Sequence, residues 1–222
     1  MSANEQYNEK SKVFTHPPFM FRNGERDGPM ATYLVTASAR SNFKLILNTD
    51  VRRVIRKNGH ITGVEVSAYA DGGYSGIINV TATGRVVLSA GTFGSSRILL
   101  RSGIGPADQL AIVNSSTDGP TFIDSKQWIN LPVGKNLQDH CNTDLVISHP
   151  NINFYDFYQA YDTPFATDQE LYLKNRSGPL AQSAPNIAPL FFDTVKGTDN
   201  ITRQFQWTAR AEGSRGANNS CK

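Results

Sequence analysis

Side chains that could hold a metal ion or act as nucleophiles are few and widely separated in this sequence of 222 residues. The four histidines are His16, His60, His140 and His149. No two of them stand three or four positions apart, the spacing that puts two metal ligands on one face of a helix. The two cysteines, Cys141 and Cys221, are too few for a disulfide scaffold or a four-cysteine metal site. We therefore predict no metal site.

Asn-x-Ser/Thr sequons form a second chemical pattern, because they accept N-linked glycans in a secretory protein. Sequons begin at Asn79, Asn114, Asn175 and Asn200, and a fifth begins at Asn218 near the end of the sequence. Such triplets also arise by chance in a chain this rich in asparagine and threonine. The first fifteen residues are polar and have no apolar centre, so they predict no secretion signal. If the parent protein is secreted, we expect its start to lie elsewhere.

Charge and hydropathy exclude two classes of partner. The 22 Lys and Arg and 19 Asp and Glu give a net charge of +3, with the two signs interspersed along the chain. No basic run could follow a phosphate backbone, so we predict no nucleic-acid partner. Apolar runs such as 86–88 are far shorter than the roughly 20 residues that cross a bilayer, so we predict no membrane span.

The elements that must position any site begin with an irregular segment. Residues 1–25 contain Pro17-Pro18 and Asn23-Gly24 and predict a connector. Pro29 suits the first position of a helix, which we predict to continue to Arg40. Beyond it, residues rich in β-branched side chains predict strands over 43–48, 51–56, 61–68, 77–81 and 144–148. Asn58-Gly59 predicts a tight hairpin turn between the second and third of these.

Residues 84–91 form a short apolar run that ends in small residues, which is typical of a strand buried in a largely parallel sheet. Ser95-Ser96 then caps a predicted helix that ends at Ser102-Gly103. Strand, small-residue turn and helix indicate an α/β protein. The aromatic cluster over 154–165 favours a core, with stacking on sugar rings as the alternative.

The residues Gly91–Gly105, GTFGSSRILLRSGIG, resemble the second signature of the glucose-methanol-choline (GMC) oxidoreductases, which are FAD enzymes. Residues 131–140, LPVGKNLQDH, resemble a family segment that lies beside the flavin, and residues 23–34 resemble the approach to the adenine-binding strand. A narrower resemblance is to the cellobiose dehydrogenases within this family. It is carried by residues 15–21, 127–132, 175–180 and 206–210.

The resemblance implies an α/β fold, in which a partial FAD-binding Rossmann-like domain joins part of an α+β substrate domain with an antiparallel sheet. It assigns residues 1–25 to the connector, 26–140 to the FAD-binding part, 141–210 to the substrate-binding part and 211–222 to a frayed tail. The family's glycine-rich pyrophosphate turn and its catalytic-histidine segment have no counterpart here. We therefore expect the middle of a longer enzyme, inactive alone.

The same resemblance implies which residues contact ligands. Val51 aligns with a valine whose backbone pairs with the adenine of FAD, and Ala90 and Gly91 pass beside the nucleotide. Asn136 and Asp139 belong to the flavin-side segment, where satisfying buried backbone groups is the alternative role. Arg210 would donate to sugar hydroxyls, with a solvated strand end as the alternative. No catalytic residue is predicted: His140 is not the base, because the family's proton acceptor lies in the missing segment.

The implied parent enzyme is secreted and oxidises the anomeric carbon of cellobiose or a related oligosaccharide to a lactone, with FAD as cofactor. Its electrons would pass to a haem domain, absent from this chain, or to an external acceptor. Two alternatives remain open. The parent could be another GMC oxidase of sugars or alcohols, which its electron acceptor would reveal. The chain could also be a non-catalytic extracellular binding module. A start codon with a signal sequence at the position of Met1 would indicate this module, whereas an upstream reading frame that encodes the glycine-rich turn would indicate a truncated enzyme.

Overall fold

The structure is a computed structural model that describes residues 10–15, 20–119, 122–147, 149–151, 155–181 and 190–209. Its strands are β1 (Val13–Thr15), β2 (Phe21–Arg22), β3 (Glu25–Arg26), β4 (Thr49–Lys57), β5 (His60–Ala68), β6 (Gly76–Asn79), β7 (Leu190–Lys196) and β8 (Thr202–Thr208). Its α-helices are α1 (Tyr33–Ser38), α2 (Gly91–Arg101), α3 (Ala107–Ser115), α4 (Phe157–Asp162) and α5 (Ala166–Asn175).

The chain divides into two compact units. The first unit is Asn42–Cys141, and the second combines Met1–Ser41 with Asn142–Lys222. Strand β1 lies inside the segment that we predicted as a connector, and it pairs with β7 of its own unit. No helix in the described part of the chain is both long and apolar enough to cross a bilayer.

The first unit is organised by an antiparallel sheet in the order β4-β5-β6. The predicted hairpin is confirmed, because β4 and β5 pair across a turn in which Asn58 takes a φ of +54°. Two register shifts interrupt this ladder, one between Val51 and Arg53 and one between Ile55 and Arg56. The sheet therefore has the extra twist and bend that β-bulges introduce.

Helix α2 packs against β4 and completes the core of this unit. Its end is confirmed: Gly103 follows with a φ of +68°, the left-handed geometry that closes a helix. Its start is corrected, since the helix begins at Gly91 rather than near Ser95. The buried apolar side chains come from β4, β5, α2, α3 and the loop between the two helices: Val54, Val66, Ile98, Ile104 and Leu110.

Three of the predicted strands are wrong. Residues 43–47, 84–90 and 144–147 have no strand structure, and Val87 is 83% exposed. Ser148, the last residue of the third prediction, lies outside the described residues. A strand exists only where a neighbouring strand accepts its backbone hydrogen bonds, and none of these segments pairs with another described strand.

The second unit holds a three-stranded antiparallel sheet in the order β1-β7-β8, together with α1, α4 and α5. Leu190 and Phe192 alternate along β7 and are buried, as is Phe157 at the start of α4. Burial of Phe157, which is 2% exposed, confirms a core role for that member of the aromatic cluster. Tyr158 and Tyr161 are 39% and 49% exposed, so the cluster is only partly core.

Candidate cofactor-binding site

Val51 lies near the beginning of β4, half-buried and opposite Val66 of β5. Within the described sheet β4 is an edge strand, so alternate backbone N–H and C=O groups face away from β5. A flat ligand with donors and acceptors along its rim can pair with such an edge. The predicted role of Val51 is thus compatible with its place in the fold.

Ala90 and Gly91 lie where α2 begins. Gly91 has a φ of +76°, and a Cβ added to it would meet no heavy atom within 4 Å. Ala90 has no side chain that could cap the helix, and its own N–H donates to Ser95 Oγ at 3.1 Å. The first-turn N–H groups of α2 are therefore available to an anion or an oxygen-rich group, which the helix dipole also favours.

The Val51 end of β4 is linked to α2 by charge. Asp50 precedes Val51, and its carboxylate lies 3.8 Å from the guanidinium of Arg97 on α2. Both side chains are about half exposed, so this pair orients the two elements more than it stabilises them. Val51, Ala90 and Gly91 therefore belong to one folded unit.

Arg56 holds the other end of β4 against α2, a role that we did not predict. Its side chain is 9% exposed and donates to the backbone oxygens of Asn58, Ser102, Gly103 and Gln127. Burial lowers the pKa of this guanidinium. The carbonyls of Ser102 and Gly103 belong to the C-terminal end of α2, where the helix dipole attracts a cation. We call Arg56 and these carbonyls the arginine clamp.

Ser102 completes the clamp from the helix side. Its hydroxyl accepts from Val54 N at 2.9 Å and donates to Ile98 O at 2.6 Å, and the residue is 2% exposed. The backbone of Gly103 and Gly105 then pairs with Ile129 in a short parallel bridge. The end of the signature segment is therefore fixed to β4 and to residues 127–129.

Replacing Ser102 with alanine should lower the free energy of unfolding by about 1–3 kcal/mol, because the buried N–H of Val54 would lose its acceptor. Urea unfolding measures this loss. Ser96→Ala is the matched control, since Ser96 donates the same kind of bond to Thr92 O from an exposed position. Equal losses in the two variants would contradict a special role for the Val54 contact.

Asp118, in the turn after α3, joins β4 and α2 of the same unit. Its carboxylate accepts from Arg52 of β4 at 3.0 Å and from Arg101 of α2 at 2.8 Å. One carboxylate between two guanidinium groups leaves the cluster with a net positive charge. Arg52 is the extra residue at the first register shift of β4, so the bulge presents this side chain to Asp118.

A cavity of about 170 Å³ adjoins the clamp and is lined by Arg53, Val54, Ile55, Arg56, Ser102, Ile123 and Gln127. Ligand pockets usually measure about 300–1,000 Å³, so this one is too small for a dinucleotide. Among the described residues, no three His, Cys, Asp or Glu side chains are grouped to hold a metal ion.

The flavin-side segment places Asn136 and Asp139 on an exposed, irregular stretch. Asn136 has a φ of +59°, and Asp139 Oδ1 accepts from the N–H of His140 at 2.8 Å. In the part of the chain that is described, no hydrogen bond or ion pair joins Asn136 or Asp139 to β4 or α2. Arg210 lies outside the described residues, which end at Ala209 just after β8.

Comparison with known proteins identifies the class of this chain. Residues 2–142 match the family model described as GMC oxidoreductase. A dehydrogenase of Hericium erinaceus, eriK, is 30% identical over 76% of this chain and 27% of its own length. The FAD- and quinone-dependent glucose dehydrogenase of Drosophila melanogaster is 33% identical over 63% of this chain and 20% of its own length. An oxygen-dependent choline dehydrogenase of Vibrio vulnificus is 34% identical over 54% of this chain and 19% of its own length.

The chain belongs to the GMC oxidoreductase family. A solved FAD-dependent oxidoreductase from Chaetomium thermophilum superposes with a TM-score of 0.61 at 20% identity, over 82% of this chain and 30% of that one. This likeness and the family match confirm the predicted fold class, a mixed α/β fold with a partial FAD-binding domain. The chain spans about a quarter of the first relative named above and a fifth of the next two.

FAD is the cofactor of this family, and the residues at the start of α2 fit it. Because Gly91 has no side chain, a ligand can occupy the open space into which a side chain would otherwise project. The uncapped N–H groups of the first helical turn suit phosphate or ribose oxygens. The narrower resemblance to cellobiose dehydrogenases stays a prediction, since the relatives named here are eriK and the glucose and choline dehydrogenases.

Proposed function

We propose that this chain forms part of the FAD side of an oxidoreductase that acts on a CH–OH group. The observation that carries the proposal is the signature segment Gly91–Gly105, whose first eleven residues form helix α2 with an open, uncapped start. Bound FAD would supply the oxidation as the acceptor of a hydride. This chain supplies binding and orientation, and no residue in it is assigned as the catalytic base.

In this proposal the edge of β4 at Val51 pairs with the adenine, and Ala90 and Gly91 border the nucleotide. Asn136 and Asp139 would contact the flavin part of the cofactor. The arginine clamp fixes β4 to the C-terminal end of α2, so it keeps Val51 at a constant distance from the start of that helix. A rigid frame of this kind reduces the ordering cost of binding.

The substrate that we propose is a cellobiose-type disaccharide. Its anomeric carbon would lose a hydride and its hydroxyl a proton, which leaves a lactone. Resemblance of residues 127–132, 175–180 and 206–210 to cellobiose dehydrogenases supports this choice, with Arg210 as the donor to sugar hydroxyls. We further propose a secreted parent protein that passes electrons to a haem domain or to an external acceptor.

A different GMC substrate is the second candidate, and the relatives favour it. Two of them are named as dehydrogenases of glucose and of choline, at 33% and 34% identity to this chain. The segment that contains Arg210 would decide between these substrates. A non-catalytic binding module is the candidate from another class of protein, and it would have no use for FAD.

A chimera tests the FAD-side role. In the Vibrio vulnificus choline dehydrogenase, the 120 matched residues would be replaced with the corresponding residues of this chain. We expect a yellow protein with an equimolar flavin absorbance, because the recipient provides the remaining FAD contacts. The isolated 222-residue chain, mixed with FAD, should stay colourless after desalting. A folded but colourless chimera would contradict the proposal.

Two variants of the chimera locate the contact. Gly91→Val fills the open space at the start of α2 and should abolish flavin retention. Gly72→Val is the matched control, because Gly72 has a similar φ of +79° and equally open surroundings but lies in the turn before β6. Both variants carry the same backbone strain. Equal flavin content in the two would rule out Gly91 as a cofactor contact.

A further inference from the structure

The sequon asparagines form a group that the proposed oxidoreductase role does not use. Four of the five, Asn79, Asn114, Asn175 and Asn200, belong to the described residues and are exposed, whereas Asn218 lies outside them. Within the described residues none of their side-chain amides makes a hydrogen bond. Asn48, which is outside any sequon, behaves differently, since its Nδ2 donates to Asp71 O at 2.7 Å. The amide nitrogen that a glycan would modify is therefore free in the four sequons that the structure describes.

Backbone geometry separates the four described sequons into two pairs. Asn114 is near the end of α3 and Asn175 is the last residue of α5. Arg176, the middle residue of the Asn175 sequon, has a left-handed φ of +50°, and its side chain donates to Glu25 Oε1 and to Tyr172 O. The hydroxyl of Ser116, the third residue of the Asn114 sequon, is also occupied: it donates to Val113 O at 2.7 Å and accepts from Asp118 N at 3.2 Å.

The other pair lies on extended or turn backbone. Asn79 is the last residue of β6, and Thr81 follows at the spacing that puts two side chains on one face of a strand. Asn200 lies in the turn between β7 and β8 with a φ of +66°, and Thr202 opens β8. Both threonines are exposed, and neither hydroxyl forms a hydrogen bond with a described residue. In both sequons, the asparagine amide that would accept the glycan and the threonine hydroxyl are therefore accessible together.

Each of these two asparagines adjoins an edge strand. β6 is at one edge of the β4-β5-β6 sheet, and β8 is at one edge of the β1-β7-β8 sheet, as far as these sheets are described. Both edges expose apolar side chains: Ile77 is 52% exposed on β6, and Phe205 and Trp207 are 41% and 47% exposed on β8. Open edges with apolar side chains are sites of unwanted strand pairing. Asn79 also lies opposite Gly63, which has no side chain to crowd a glycan.

We propose that Asn79 and Asn200 carry N-linked glycans, which screen the edges formed by β6 and β8. The inference rests on the secretory route included in the proposed function. The modification joins each Nδ2 to the anomeric carbon of a lipid-pyrophosphate-linked oligosaccharide, with loss of one amide proton and departure of the lipid pyrophosphate. A bulky, hydrated group at each position prevents another chain from aligning along the edge.

The full chain, fused to a cleavable secretion leader, would be produced in yeast, with cells and medium pooled. Glycan release in heavy-oxygen water converts each modified asparagine to a labelled aspartate, which peptide mass spectrometry detects. We expect label at Asn79 and Asn200. Loss of the leader identifies the chains that entered the secretory route. If those chains carry an unlabelled asparagine at either position, the proposal is overturned, whether or not the chains fold.

Threonine variants supply the matched controls. Thr81→Val and Thr202→Val should each abolish one label, whereas Thr83→Val and Thr208→Val, outside the sequons, should leave both. Enzymatic removal of the glycans should raise light scattering at constant protein concentration, and unchanged scattering would refute the screening role. Flavin retention in the chimera is independent of these results, so failure of the glycan proposal and failure of the FAD-side role are distinguishable.

Discussion

Replacing Arg56 with leucine is expected to lower the free energy of unfolding by about 2–3 kcal/mol. The change would leave the buried carbonyl of Ser102 without a donor, at a cost of about 1–3 kcal/mol, and would remove a part-buried hydrogen bond to Gln127 O, which is worth less because water can replace the donor there. The variant no longer has to bury a charged guanidinium, and the desolvation free energy saved in this way offsets part of that cost. The carbonyl of Gly103 is protected, because it also accepts from Ile129 N at 2.9 Å.

Urea unfolding followed by fluorescence measures this effect. The chain has two tryptophans, so a Trp207→Phe background leaves Trp128 as the reporter beside the clamp. Arg85→Leu is the matched control: Arg85 donates to the carbonyls of Thr83 and Gly84, but from an exposed position. The control should change stability by less than about 0.5 kcal/mol. A loss as large in the control as in Arg56→Leu would show that the clamp contributes nothing through burial.

Gly103→Ala should destabilise the same unit by about 3 kcal/mol. The φ of +68° costs an alanine about 1–2 kcal/mol. Its Cβ would also lie within 2.3 Å of Ile123 Cγ2, an overlap that forces neighbouring side chains to move at a typical cost of about 1–3 kcal/mol.

Gly72→Ala separates these two contributions. Gly72 has a φ of +79° with no heavy atom near an added Cβ, so its alanine variant should show the conformational cost alone. Thermal or urea unfolding of both variants gives the difference. If Gly103→Ala were no more destabilising than Gly72→Ala, the contact with Ile123 would be absent in solution.

Sequence reasoning succeeded where the structure depends on neighbours along the chain. The β4-β5 hairpin follows from alternating β-branched residues on both sides of Asn58-Gly59, and the end of α2 follows from Gly103. Both signals act over a few residues, so no knowledge of the rest of the fold is required.

It failed where the structure depends on distant partners. Residues 43–47, 84–90 and 144–147 have the composition of strands, but composition does not provide the second strand that a ladder needs. The opposite error concerned β1, whose three residues pair with β7 about 180 positions later. Local pattern contains no information about such a pairing.

The candidate site shows the same division. The cofactor roles of Ala90 and Gly91 came from the family resemblance and stay predictions, and the arginine clamp was missed. The signal existed, since Arg56 follows Val54 at the two-residue spacing of one strand face, and Val54 is core. The role of an arginine on a buried strand face can be predicted only if its hydrogen-bond acceptors are known. Here the acceptors are backbone oxygens, which every residue type has, so the sequence does not reveal them.

The two register shifts in the β4-β5 hairpin have a consequence for insertions and deletions. Arg52 is the extra residue on β4, and Thr62 is the extra residue on β5, so the two arms of the hairpin remain equal in length. If residues are paired one by one from the turn without the bulges, Val66 falls opposite Val51, as observed. The same count puts Val64 opposite Arg53, where the structure has Glu65. Each bulge can absorb a one-residue change. These two points are where the hairpin can gain or lose a residue while Val51 stays opposite Val66.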